Sequence, residues 1–169
     1  MRLRRRLATP TWLVGSLLAF TTHASDLPDP KRTPGALNSL VTQRNIGETI
    51  CVKGWTRTVR PPVSFTNRLK RIQIAQYGYV DRDPRDVEED HLIPLSLGGA
   101  PDDPANLWPE PRSGRWNADL KDSLEARLHH LVCDGKIPLV EAQTAIRTNW
   151  IAAYHRYMSR RAKGNREPE

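Results

Sequence analysis

The sequence predicts an α+β chain, mainly helical, and three observations carry that expectation. Leu120, Leu124, Leu128 and Leu131 recur at spacings of four, four and three, which places them on one helical face. Ile146, Trp150, Ala153 and Tyr157 repeat the pattern after Pro138, a residue suited to opening a helix. Between them and the N-terminal half, short apolar runs flank Gly98-Gly99 and read as two strands joined by a loop.

The elements follow in chain order. Residues 1–24 read as a secretory signal. Arg2, Arg4, Arg5 and Arg6 form a charged start, Trp12 to Phe20 an apolar run, and Thr22-His23-Ala24 a small-x-small cleavage site. The run is too short to span a bilayer comfortably, and nothing later resembles a membrane helix. The chain is therefore expected to be exported, to the periplasm or beyond, with no membrane attachment once cut. An uncut anchor is the alternative. Residues 25–34, rich in Pro and Asp, are expected to be a flexible lead-in.

Residues 35–86 form a scaffold segment. Leu37 to Val59 is ambiguous, because Thr42 could cap a helix that Gly47 and β-branched residues then weaken. Arg60-Pro61-Pro62 is a break, Thr66 to Tyr77 has helical spacing, and Gly78 is a natural terminator. Residues 87–158 hold a strand from Val87 to Leu97, a turn, a return strand at Asn106-Leu107-Trp108, a helix from Arg115 or Asn117 to Val132, and the last helix. Trp108 and Trp150 read as core residues, and 159–169 as a basic tail.

The formal net charge is +7; four of those charges are the signal arginines, which leaves +3 for the rest. That excess suits a polyanionic partner without requiring one. Cys51 and Cys133 both lie in the exported part, which favours one long-range disulfide over two buried thiols. Two cysteines so far apart do not make a zinc site by themselves.

The chemistry concentrates in Glu89-Asp90-His91-Leu92-Ile93-Pro94, Gly98-Gly99, and Asp102-Asp103-Pro104-Ala105-Asn106-Leu107. An Asp-His pair alone is weak. The pair at a strand start, a Pro three residues after the His, the Gly-Gly turn and Asn-Leu fifteen residues on together form a stronger signal. From Val87 to about Leu128 this resembles the HNH endonuclease family, and in its Trp116-Asn117-Ala118 and Lys121-Asp122-Ser123-Leu124-Glu125 stretches it resembles exported bacterial members.

The resemblance implies a ββα-metal motif with flanking helices and hydrolysis of phosphodiester bonds in DNA, with RNA as a further substrate. It casts His91 as general base and Asp90 as metal ligand. Asn106 belongs to the catalytic set by bracing the loop and the His91 carbonyl region, not by reacting; a plain turn residue is the alternative. The family's final histidine is missing. Some members carry Asn there, which makes Asn117 the candidate further ligand; a helix cap is the competing role. On a helical wheel Asn117 falls about 20° from Leu124 and Leu128 and so faces inward. Hard Asp and Asn oxygens point to Mg2+, with Mn2+ as the alternative.

Arg115 and Lys121 are candidates for holding phosphate, against simple surface charge, and Glu89 and Glu110 for outer contacts to the metal. Adjacent strand residues point to opposite faces, so Asp90 and His91 share a site only at a strand edge or an irregularity. Two rival functions remain: a non-catalytic nucleic-acid-binding protein on the same fold, and an exported envelope or interaction protein with a coincidental pattern.

Overall fold

A computed structural model describes residues 26–80 and 83–159, and about half of these are helical. The expected signal at 1–24 and the basic tail beyond Ser159 lie outside the described residues. Among those described, no helix is long and apolar enough to cross a membrane.

The chain is α+β. A 3-10 helix at Gln43–Glu48 and a short helix α1, Trp55–Val59, precede α2, Val63–Gln76. α2 begins directly after Pro61-Pro62, three residues before the expected start, because Pro62 in extended geometry serves as its N-cap. Tyr77 closes it and Gly78 follows at φ +73, the left-handed turn that glycine adopts without strain.

Strands β1, Val87–His91, and β2, Leu107–Pro111, form one antiparallel pair with Glu88 opposite Glu110 and Asp90 opposite Trp108. β1 is shorter than expected. The apolar stretch after His91 leaves the sheet and is buried as a loop with a 3-10 turn at Leu95–Leu97. Asn106 makes that loop possible. Its Oδ1 accepts from Ile93 N at 3.0 Å, and its Nδ2 donates to Ile93 O and Ala100 O, each at 3.0 Å. These bonds satisfy buried backbone groups that no strand partner reaches. Gly99 is required here, since a Cβ would fall 1.8 Å from Ile93 O.

Helix α3, Ala118–Cys133, packs on α4, Leu139–Met158, and buries Leu124, Leu128 and Val132 against Ile146 and Trp150. Each buried leucine contributes about 2–3 kcal/mol by removal from water. α4 breaks at Asn149, whose φ/ψ of −166/98 is extended, and the Asn149 Oδ1 accepts from Ala152 N to recap the second half. The stretch from Asp26 to Pro34, expected to be flexible, packs on this core. Trp150 Nε1 donates to Asp26 O at 3.0 Å, and Thr33, buried, donates to Leu107 O at 3.0 Å. A disulfide joins Cys51 to Cys133 across 82 residues and ties the N-terminal segment to the end of α3.

Candidate functional site

The register of β1 and β2 places Glu88, Asp90 and Glu110 on one face of the hairpin. α3 lies against that face and supplies Lys121 and, one turn on, Glu125. The Lys121 ammonium, with no exposed surface, is the centre of the cluster. It donates to Asp90 Oδ2, to Glu125 Oε1 and, at 2.9 Å, to His91 O, and lies 3.9 Å from Glu110 Oε2.

Electrostatics follow from this geometry. Burial alone would raise the Asp90 carboxyl; the Lys121 ammonium outweighs it and holds Asp90 ionised, below its ordinary value. Burial would likewise lower Lys121, but Asp90, Glu125 and Glu110 raise it well above its ordinary value. Glu110 and Glu125 are pushed up by burial, which Lys121 offsets only in part, and the Asp90 charge adds to the rise. On the rim, Glu88 and Asp122 are raised by burial first and by Asp90 second. Lys121 is thus shared by Asp90, Glu110 and Glu125, of which the two glutamates are held towards the neutral form, while Glu88 pairs with Arg112 at 2.9 Å.

His91 is 5% exposed, and its Nε2 lies 2.8 Å from Pro101 O. A carbonyl oxygen only accepts, so Nε2 carries the proton and Nδ1 keeps its lone pair. Burial lowers the His91 pKa below 6.5, against the opposing pull of Asp90 and Pro101 O, so the imidazole is neutral at pH 7. Glu89 lies on the His91 side of the strand. Both its carboxylate oxygens are buried without a hydrogen-bond partner, and burial pushes its pKa up to about 8.

Several expected roles change. Lys121 is no surface phosphate ligand: it is sealed among carboxylates, whereas Arg115 is exposed, 5.9 Å above the Trp116 ring. Asn117 is the N-cap of α3. Its Oδ1 accepts from Leu120 N and its Nδ2 donates to Gly114 O, each at 3.2 Å, because the helix start leaves amide groups to satisfy. The His91 carbonyl is held by Lys121, and Asn106 grips Ile93 and Ala100 instead. Asp90 and His91 sit together on β1, which is regular to its last residue, so they leave it on opposite faces. Glu110 joins the cluster directly.

Glu125 escaped the sequence reading, although its i, i+4 spacing to Lys121 signals an ion pair. The fit to a divalent cation rests on donor chemistry. Asp90, Glu110 and Glu125 offer hard oxygens, and Glu110 Oε1 is buried without a hydrogen-bond partner. Lys121 occupies the middle of that set, so a metal at this position would have to compete with it. Compared with protein-family models, with curated proteins and with solved structures, the chain finds no match in any of the three.

Proposed function

We propose that this chain is an exported, metal-dependent endonuclease of the HNH type that hydrolyses DNA, with β1, the 92–106 loop, β2 and α3 as its ββα-metal unit. The observation that carries the reading is the His91 imidazole, neutral and fixed in tautomer by Pro101 O, at the last residue of β1, whose backbone carbonyl accepts from Lys121 at the centre of the Asp90 carboxylate cluster. A neutral imidazole with a free Nδ1 is equipped to take a proton from a water attacking phosphorus.

Asp90, Glu110 and Glu125 would hold the cation, Mg2+ or Mn2+, which when bound supplies positive charge to the phosphate and the departing 3′ oxygen. Without a cation, crowded carboxylates would repel a phosphodiester. Asn106 acts by position: it fixes the loop at Ala100, next to the residue whose carbonyl orients His91. The exposed Arg57, Arg60, Arg68 and Arg71 along α1 and α2 offer contacts to the DNA backbone.

The test is plasmid cleavage by the oxidised protein with Mg2+, Mn2+ or chelator, beside His91→Ala and His91→Gln. The nuclease reading expects metal-dependent nicking that both variants lose by about a hundredfold or more, although the Gln amide still has a donor for Pro101 O. A second reading, a nucleic-acid binder without catalysis, is favoured by the ammonium of Lys121 at the carboxylate centre. It expects salt-sensitive DNA retention, no cleavage and no need for metal.

A further inference from the structure

At the far end of α3, His129 and Cys133 lie one turn apart on the same face, and the disulfide brings Cys51 against them. His129 Nε2 is 3.4 Å from Cys133 Sγ and 2.9 Å from the carbonyl of Ile50, the residue before Cys51. The three ligand atoms lie within 4.8 Å of one another and are half-buried. Among the described residues this is the one group of three His, Cys, Asp or Glu side chains whose ligand atoms already lie so close together; Asp90, Glu110 and Glu125 are gathered around Lys121 instead.

We propose that Cys51, His129 and Cys133 form a zinc site that is closed in the disulfide form and opens when a dithiol reduces the bond. A disulfide has no thiolate, and thiolate is the form that binds zinc. Reduction transfers two electrons and two protons from the dithiol, which becomes a disulfide, and leaves two thiols on this chain. Zinc binding then releases both thiol protons to solvent. The His129 imidazole ligates as the neutral ring through Nε2, whose proton passes by exchange with solvent to Nδ1.

The geometry requires little movement. Two sulfurs on a tetrahedral zinc, each at about 2.3 Å from the metal, stand about 3.8 Å apart, and nitrogen and sulfur about 3.5 Å apart. The present 3.4 Å between His129 Nε2 and Cys133 Sγ already matches the second value. The Cα atoms of Cys51 and Cys133, 5.7 Å apart, need only let the sulfurs separate. His129 must exchange its Ile50 carbonyl partner for the metal, and water takes the fourth corner. The consequence is a protein whose metal content reports its thiol state, with the same cross-link between Cys51 and α3 made by a bond or by an ion. Nothing in this depends on the nuclease reading.

The test uses the full chain, oxidised or reduced with a phosphine, and Co2+ and Zn2+ as probes. The expected result is one Co2+ per reduced chain with a thiolate charge-transfer band and tetrahedral d–d bands, displaced by Zn2+, and no such bands in the oxidised chain. The thiolate band separates this site from one built on Asp90. His129→Ala is expected to weaken Zn2+ binding by about tenfold or more against a chromophoric chelator. Equal affinity in reduced wild type and His129→Ala would overturn the proposal, as would a reduced, folded chain that takes up no zinc. Should reduction unfold the chain, recovery of its circular dichroism on adding Zn2+ supports the site, and failure to recover overturns it.

Discussion

The two halves of α3 are built on opposite principles. From Leu124 to Val132 the helix buries leucine and valine against α4, and the disulfide closes its end. Around Lys121 the same helix buries a charge among three carboxyl groups. The apolar half stabilises by removing surface from water. The polar half must first offset several kcal/mol of desolvation per ion, and buried ionic clusters are often no more stabilising than apolar residues of equal volume. A fold in need of stability alone would extend the leucine stripe through position 121. That cost is in keeping with the proposed role of this end of the helix in chemistry.

The largest effect expected from breaking this contrast is at its centre. Lys121→Met removes the ammonium that Asp90, Glu110 and Glu125 share, and should cost about 3–5 kcal/mol in a urea melt. Millimolar Mn2+ should restore part of that loss if these carboxylates hold a metal. Leu128→Ala at the other half should cost about 2–5 kcal/mol through its cavity, with a loss that neither pH nor Mn2+ alters. An equal response of the two variants to Mn2+ would erase the proposed division of labour.

Asn117→Ala sharpens the boundary between cap and ligand. A cap predicts a loss of about 1 kcal/mol and an unchanged metal requirement. A metal requirement raised tenfold or more would instead restore Asn117 as a ligand.

A further effect concerns pH. Glu89 is raised from 4.5 to about 8, so its contribution is fully present below pH 4.5 and is lost as pH rises through about 8. His91 is lowered from 6.5, so its contribution is present above that value and is lost as pH falls through the lowered one. The two ramps oppose each other below pH 6.5, and above it thermal melts should fall as pH rises through about 8. Glu89→Gln should flatten the alkaline ramp by a few degrees and leave the melt near pH 5 unchanged. A wild-type-like alkaline ramp in Glu89→Gln would remove Glu89 from the account.

Legibility in the sequence followed the same division. Leucine spacing placed the end of α3 within one residue and its start within one to three, and Pro138 marked the start of α4. Gly98-Gly99 marked a loop that only glycine fits, because at 99 the backbone approaches Ile93 too closely for a Cβ. The five-residue α1 was missed, since so short a helix carries no periodic signal. β1 was drawn too long because apolar residues such as Leu92 to Leu97 suit a buried loop as well as a strand once Asn106 satisfies the backbone. Lys121 was misjudged although a signal existed. At 100° per residue it lies about 20° from Leu128, on the inward face, where a charge needs a buried partner. Glu125 and Asp90 are those partners, and only Glu125 was within reach of local spacing.

The contrast between the proposed catalytic end and the apolar core is tested most directly by measuring plasmid cleavage and thermal stability together in wild type, His91→Gln and Leu128→Ala. The account predicts that His91→Gln melts close to wild type yet loses metal-dependent cleavage by about a hundredfold or more. It also predicts that Leu128→Ala melts early yet cleaves at the wild-type rate below its transition. Wild-type cleavage by His91→Gln, or no cleavage by any of the three folded proteins with any metal, would contradict it.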